Sequence, residues 1–227
     1  MLKNLFPSYI FNGDATTLDN FTDIQEQIQQ YLDTKDPHYL PWFGKTHKLY
    51  EKSFGPEDAN LLGYCPLLKS FIIDQITQFL LQVRPDQSEF FKTLMNYISI
   101  NSSWATQFDD GDYAHQHNHL PDEISGVYYY QVPEQDPLNK KQDNRYEGHL
   151  YFVSPLTGHY TSLMTAPLQK VYVTPRKGQL ILFPSYLEHG VMTCHNKDKS
   201  RISISFNVSI HRNFIHDKIE KRDKKEK

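Results

Sequence analysis

Histidines alternate along one short stretch of the chain, at His115, His117 and His119. If the backbone is extended there, alternate side chains share a face, so all three imidazoles are expected to point the same way. Imidazole is the commonest side-chain metal ligand, and neutral rings can lie side by side where charged groups would repel each other. Another histidine, His189, comes just past an apolar stretch far downstream. The pattern predicts a metal site built from both regions.

An arginine follows the distal histidine, at the start of the alternating segment from Arg201 to Asn207. A strand-borne arginine that points into a barrel needs a partner, because an unpaired buried charge is strongly destabilising. A guanidinium can meet a planar carboxylate with two hydrogen bonds. Ser203 lies two residues on, on the same face, and could donate a further hydrogen bond.

The order of these features resembles the 2-oxoglutarate- and Fe(II)-dependent oxygenases. A His-x-His pair precedes a Ser-Gly-Val-Tyr-Tyr strand, and a distal histidine and an arginine follow. This order is most similar to a branch of small stand-alone members that carry His-x-His. The resemblance covers residues 101–210. It implies a mainly β protein with flanking helices, in which a double-stranded β-helix (a jelly-roll, cupin-like core) has N-terminal helices packed on its larger sheet.

By resemblance, the metal ligands are His117, His119 and His189. The alternative register pairs His115 with His117, and a carboxylate such as Asp122 could complete the set or accept an imidazole N–H. Asp109 and Asp112 are further candidates for either role. The family usually has His-x-Asp, so the second imidazole is a departure that leaves Zn(II) open as an alternative metal. The residues implied to bind 2-oxoglutarate are Arg201, Ser203 and Tyr129.

The implied activity is that of a dioxygenase, an oxidoreductase that uses Fe(II), 2-oxoglutarate and O2. It would hydroxylate a small-molecule or peptidyl substrate, with prolyl or amino-acid C–H bonds favoured, and release succinate and CO2. Two alternatives stay open at this point. One is a three-histidine zinc hydrolase or lyase on a cupin-like fold, and the other is a non-enzymatic jelly-roll binding module.

Composition limits the other classes of function. The net charge of −3 and the acidic residues around Asp109 do not favour nucleic acid as a ligand. The two cysteines, Cys65 and Cys194, lie in unrelated contexts and predict no disulfide framework. No apolar run has membrane-spanning length, and the N-terminus lacks the basic start and apolar core of a secretory signal. We therefore expect a cytoplasmic protein with no membrane partner, whose oligomeric state the sequence leaves open.

Residues 1–213 are expected to form a single domain, with helical and loop support over 1–92, a jelly-roll core over 93–213 and a charged tail over 214–227. The apolar spacing predicts an amphipathic helix over 19–34, which Thr22 and Gln25 could begin as a capping box. A second helix should open at Pro66 and end at Arg84. Strands are predicted at 93–108, 125–132, 148–153, 170–174, 179–183, 189–194 and 201–211.

Several smaller features complete the prediction. An apolar segment near the N-terminus predicts an edge strand before a Gly13-Asp14 turn. Residues 35–63 should be mostly loop. Trp42, Phe43 and Tyr50 within it would cover the core, although Trp42, like Tyr113 and Tyr160, could instead line a partly apolar pocket. Long loops are expected at 133–147 and 154–168. His149, His159, His195 and His211 are not expected to be ligands.

Overall fold

Two antiparallel sheets form the body of the protein. The strands are β1 Phe11–Asp14, β2 His38–Leu40, β3 His47–Leu49, β4 Ile98–Phe108, β5 Ala114–His117, β6 Ile124–Gln131, β7 Leu150–Val153, β8 Lys170–Val173, β9 Gln179–Pro184, β10 His189–Val191 and β11 Arg201–Ile210. The larger sheet has the strand order β1-β9-β6-β11-β4-β3-β2, and the smaller has the order β5-β10-β7-β8. The computed structural model describes residues 8–34, 38–40, 47–49, 60–83, 85–133, 146–155, 169–195 and 199–210.

Alternation along the central strands gives the larger sheet two different faces. On β11, Ile202, Ile204 and Val208 belong to one core cluster, which faces the helices. On β6 and β9, Val127 and Ile181 belong to a second cluster on the opposite face. Because side chains of a strand alternate between faces, one sequence period builds both layers.

The helices cover the first of these faces. Their ranges are α1 Phe21–Asp33, α2 Leu61–Tyr64, α3 Pro66–Val83 and α4 Ser88–Leu94. Ile28 of α1 and Ile72 of α3 are fully buried in the same cluster as Leu180 and Ile204 of the sheet. This packing confirms the prediction that N-terminal helices lie on the larger sheet. Among the described residues, no helix combines the length and apolar character needed to cross a membrane.

The second face packs against the smaller sheet. Leu150 and Phe152 from β7 join Val127, Ile181 and Phe183 from the larger sheet in one buried cluster. The rings of Phe152 and Phe183 meet edge to face, with centroids 4.9 Å apart, an arrangement favoured by the aromatic quadrupole. The two sheets therefore enclose an apolar interior, which confirms the predicted jelly-roll architecture.

One glycine on β6 makes close packing of β11 possible. A side chain at Gly126 would overlap the Phe206 ring, which lies directly over the glycine on the neighbouring strand. The Ser-Gly-Val segment is thus fixed by packing at its middle residue and keeps Ser125 and Val127 buried on either side.

Several local predictions are wrong. Residues 93–97 are not strand: α4 runs to Leu94, a 3-10 turn covers Met95–Tyr97, and β4 begins at Ile98. Aromatic and β-branched residues misled the prediction there, because helix packing overrides propensity. The capping box is also absent. Asn20 occupies the N-cap without a side-chain bond, and Gln25 instead donates through Nε2 to the Tyr128 hydroxyl at 2.8 Å.

The N-terminal turn is misplaced in the same way. Gly13 and Asp14 belong to the edge strand β1, which pairs with β9. Asp14 ends the strand because its carboxylate accepts a hydrogen bond from the Thr16 amide at 2.9 Å. The region predicted as loop also contains β2, β3 and the start of α2. Trp42, Phe43 and Tyr50, most of both long loops, and the 214–227 tail lie outside the described residues.

Candidate active site

Three imidazoles converge where β5 pairs with β10 in the smaller sheet. His117 ends β5 and pairs directly with His189, which begins β10. His119 lies two residues beyond β5, where its amide donates to the Ser185 carbonyl at 3.0 Å. One ligand atom of each histidine lies within 4.8 Å of the other two. This spacing suits a single small cation with metal–nitrogen bonds of about 2.1 Å after slight closure.

His115 lies outside this group, so the expectation that three alternate imidazoles share a face is wrong. The pairing of β5 with β10 shifts register between His117 and Ala114, so β5 carries one extra residue there. Such a bulge interrupts alternation. Ala114 consequently lines the cavity, whereas His115 is exposed and packs against Tyr113, with ring centroids 5.0 Å apart.

Main-chain carbonyls orient two of the rings. Nδ1 of His117 lies 2.7 Å from the His115 carbonyl oxygen, and Nδ1 of His189 lies 2.8 Å from that of Leu187. A carbonyl only accepts, so in the neutral ring each contact places the proton on Nδ1 and the lone pair on Nε2. This is the arrangement in which a histidine binds a metal through Nε2.

Burial keeps the three rings neutral. It is the main cause that lowers the pKa of His189 to about 3, helped by the nearby His117. Burial, followed by the effect of His117, likewise lowers the pKa of His119 to about 4. The pKa of His117 is lowered by burial too, against opposing effects of the His115 carbonyl and Glu188. Neutral imidazoles are the form that coordinates a metal.

The carboxylates considered as ligands or acceptors have other contacts. Asp122 accepts hydrogen bonds from Asn101 and Ser209. Asp109 accepts from Gln107 and Ser200. The Asp112 carboxylate accepts from the Asp109 amide at 2.9 Å. None of the three aspartates belongs to the histidine group, so the grouped ligand atoms in the described residues are all imidazole nitrogens.

Arg201 lies in the same cavity with its charge buried. Its side chain is only 3% exposed, and Nε and Nη1 have no hydrogen-bond partner among the described residues. The guanidinium carbon lies 5.2 Å from the centroid of Phe108 and 5.0 Å from that of Tyr129. Aromatic faces compensate a buried cation only in part. The two unpartnered donors therefore suit an anionic ligand.

Ser203 and Tyr129 face each other across β11 and β6. Ser203 is buried and lines the cavity with Arg201. Tyr129 is fully buried beside the guanidinium, and its hydroxyl also has no partner within the described residues. Burial raises the pKa of Tyr129, with Arg201 acting in the opposite direction. The hydroxyl is thus a neutral donor close to Arg201.

Some residues of the cavity carried no prediction. Trp104, Thr106 and Phe108 line it from β4, and Asn207 lines it from β11. The alternation of these three residues along β4 could have predicted that they share a face, because every second residue of a strand points to the same side of the sheet. Asn207 lies on the same face as Arg201, six residues on, so the same rule reaches it.

Four histidines were predicted not to be ligands. Those that the structure describes lie outside the histidine group. His149 makes contacts of 3.0 Å with the Glu147 carbonyl and 2.8 Å with the Thr174 hydroxyl. His195 pairs with Asp110 at 3.7 Å. Trp42, His159, Tyr160 and His211 lie outside the described residues.

Known proteins carry a related sequence and fold. Residues 102–207 match the model of the family described as "Putative 2OG-Fe(II) oxygenase". Among curated proteins, none matches this chain. One similar solved structure is an oxidoreductase of the 2OG-Fe(II) oxygenase family from Burkholderia pseudomallei. It has a TM-score of 0.54 and 12% identity, over 82% of this chain and 78% of that one.

Two more structures share the fold. A prolyl hydroxylase from Trichoplax adhaerens, in complex with a peptide fragment of the hypoxia inducible factor oxygen degradation domain, has a TM-score of 0.53 and 14% identity, over 88% of this chain and 83% of that one. HygX from Streptomyces hygroscopicus, with nickel and 2-oxoglutarate bound, has a TM-score of 0.54 and 10% identity, over 89% and 83%.

The donor set fits what this family binds. Neutral imidazoles are suitable ligands for Fe(II), and the unpartnered donors of Arg201 suit a dicarboxylate. The family model spans the segment from β4 to β11 that supplies all of these residues. Residues 102–207, which contain this whole donor set, therefore resemble the 2OG-Fe(II) oxygenase family.

Proposed function

We propose that the protein is a dioxygenase that hydroxylates an aliphatic C–H bond and converts 2-oxoglutarate to succinate and CO2. One observation carries the proposal: three neutral imidazoles line the same cavity as a buried guanidinium whose Nε and Nη1 have no partner among the described residues. The match of residues 102–207 to the oxygenase family model favours this oxidative activity over a zinc hydrolase and over a binding module.

His117, His119 and His189 are the proposed ligands of Fe(II). Their Nδ1 contacts hold the rings of His117 and His189 before a metal arrives, so binding costs little reorganisation there. Fe(II), when bound with 2-oxoglutarate, supplies the activation of O2. Three neutral imidazole ligands would hold the ion and would leave room on it for the co-substrate and O2.

Arg201 is the proposed partner of the 2-oxoglutarate carboxylate remote from the metal. A carboxylate beside the guanidinium can accept charge-assisted hydrogen bonds from it, and Nε and Nη1 are donors without a partner among the described residues. Ser203 and Tyr129 are proposed as additional hydroxyl donors, because both are buried beside the guanidinium. A carboxylate here would also neutralise a charge that is otherwise costly to bury.

The proposed substrate is a small molecule or peptide that presents an aliphatic C–H bond, with prolyl or amino-acid groups favoured. Trp104, Phe108, Val127, Leu150 and Phe183 give the cavity an apolar wall. This wall excludes water from the reacting positions and accepts an apolar ring or chain. A prolyl group meets that requirement, and the structural likeness to a prolyl hydroxylase is consistent with it.

Anaerobic titration tests the proposal. Addition of Fe(II) and then 2-oxoglutarate to the purified protein should produce a visible metal-to-ligand charge-transfer band, and O2 should then generate succinate. Zn(II) in place of Fe(II) should give neither signal. The proposal fails if Fe(II) binds without the band and without succinate formation.

Candidate substrates can be compared in the same assay. Proline-containing peptides, free proline and matched alanine peptides should be incubated with the loaded enzyme and analysed by mass spectrometry. We expect the gain of one oxygen on the prolyl compounds alone. Equal succinate formation with every compound and no oxygenated product would contradict a prolyl preference.

A further inference from the structure

A row of hydrogen-bonded, buried polar side chains connects Ser185, which directly follows β9, with His119. The Ser185 and Ser125 hydroxyls lie 2.7 Å apart, and Ser125 Oγ donates to Asn207 Oδ1 at 2.9 Å. Nδ2 of Asn207 then lies 3.5 Å from Nδ1 of His119. Nδ2 of Asn207 also donates to the Ser102 hydroxyl at 3.5 Å. Ser185, Ser125 and Asn207 are 0%, 1% and 8% exposed, so their polar groups need hydrogen-bond partners inside the protein.

His119 differs from the other two histidines in what orients its ring. His117 and His189 each meet a carbonyl two residues earlier in their own segment. A carbonyl has one possible role, because it only accepts. His119 instead meets an amide side chain from β11, 88 residues away in the chain. An amide can present either its oxygen or its nitrogen.

The two amide orientations have opposite consequences for His119. With the nitrogen towards the ring, Nδ1 accepts a hydrogen bond and the ring proton lies on Nε2, which then cannot ligate. With the oxygen towards the ring, Nδ1–H donates and Nε2 keeps its lone pair for a metal. The Ser125 hydroxyl can donate to the amide oxygen or accept from the amide nitrogen, so it satisfies both orientations.

We propose that Asn207 is a positioning residue that selects the ligating tautomer of His119 by turning its amide oxygen towards Nδ1–H. The chain Ser185–Ser125–Asn207 relays this choice, because each hydroxyl can reverse its hydrogen bond. The inference rests on the proposed function in one respect, since it takes His119 as a metal ligand.

Two substitutions of similar size separate this role from simple packing. Asn207→Asp supplies a group that only accepts, so it should enforce the ligating tautomer. Asn207→Leu fills the space and supplies no acceptor. Ser103→Ala is the matched control, because Ser103 is a buried β4 residue that accepts from the Leu62 amide at 2.9 Å and pairs with Phe206, next to Asn207. It loses a buried hydrogen bond without touching the imidazoles.

Co(II) binding by calorimetry and by visible absorption gives the first measurement. We expect the dissociation constant to rise about tenfold in Asn207→Leu, in the range typical of lost outer-shell partners. Asn207→Asp should bind Co(II) at least as tightly as the parent protein, and Ser103→Ala should match the parent.

A proton NMR spectrum of the Co(II) protein gives the second measurement, because each histidine bound through Nε2 contributes one shifted, exchangeable Nδ1–H signal. Three such signals are expected in the parent and in Asn207→Asp, and the His119 signal should disappear or exchange faster in Asn207→Leu.

The Co(II) affinities of the variants decide whether Asn207 has the proposed role. If Asn207→Asp weakens Co(II) binding as much as Asn207→Leu does, the amide acts as a donor or as packing, and the inference is overturned. Parental affinity in Asn207→Leu overturns it as well. Should Asn207→Leu not fold, Asn207→Ala repeats the test with a smaller side chain. If the parent protein binds no Co(II), the proposed ligand set fails together with the inference. If the parent binds Co(II) and Asn207→Leu binds it with the same affinity, only the inference is overturned.

Discussion

The two faces of β11 carry the same number of residues but have different roles. Ile202, Ile204 and Val208 face the helices and are buried among apolar side chains. Arg201 and Ser203, which alternate with them, are equally buried but face the cavity. The helix face is closed by α1 and α3, whereas the cavity face leaves two guanidinium donors without a partner in the described residues.

This division teaches that burial has opposite effects on the two faces. On the helix face it removes apolar surface from water, which stabilises the fold. On the cavity face it strips water from groups that need hydrogen bonds, which costs stability until a ligand supplies them. Substitutions on the helix face should therefore change stability, and those on the cavity face should change ligand binding.

The largest effect is expected at the metal ligands. His189→Ala removes a buried ligand and should abolish stoichiometric metal binding, because two imidazoles hold a divalent ion far more weakly than three. Metal content after dialysis measures it. His195→Ala is the control, since His195 is half exposed and pairs with Asp110. Retention of one equivalent of iron by His189→Ala would contradict the ligand set.

A cavity created on the helix face should act on stability alone. Ile204 is fully buried, so Ile204→Ala is expected to lower the free energy of unfolding by about 2–5 kcal/mol. Denaturant unfolding measures the loss. Metal affinity of the folded variant should stay at the parental value. A matching loss of metal affinity would show that the two faces are coupled.

Arg201→Ala should give the reverse pattern. Loss of charge-assisted hydrogen bonds is expected to raise the 2-oxoglutarate concentration needed for half-saturation by at least about tenfold, at about 1.5–3 kcal/mol for each bond to a charged group. Metal content and the unfolding midpoint should change little, because the variant also removes a buried charge that is only partly compensated. Equal loss of metal and 2-oxoglutarate binding would mean that Arg201 is structural.

The smallest effect is expected at Tyr129. Tyr129→Phe removes a buried hydroxyl that has no partner among the described residues, so stability should be retained or slightly increased. If the hydroxyl contacts 2-oxoglutarate, affinity for that compound should fall about fivefold, corresponding to about 1 kcal/mol for one neutral hydrogen bond. Unchanged affinity would remove Tyr129 from the binding site.

The sequence predicted features that repeat with a regular period. The alternation of residues from Arg201 onwards placed Ile204 and Ser203 on opposite faces. The apolar spacing over 19–34 predicted the amphipathic helix α1, whose Ile28 is buried in the core. The motif order predicted that the histidine pair and His189 would meet. These patterns are local or shared with a known family, so they can be recognised in the sequence before any tertiary contact is known.

What the sequence did not predict depends on single contacts between distant segments. The bulge in β5 turns His115 away from the cavity and brings Ala114 into it, and no residue type in the stretch marks a bulge. The partnership of Asn207 with His119 joins β11 to the segment after β5. Such a contact exists only once the register of both strands is fixed.

A crystal structure of the protein with Fe(II) or Mn(II) and 2-oxoglutarate, grown without O2, tests the central claim most directly. We predict one metal ion bound by His117, His119 and His189, with 2-oxoglutarate chelating it and the remote carboxylate paired with Arg201. A metal bound elsewhere, or a co-substrate whose remote carboxylate lies away from Arg201, would contradict the account.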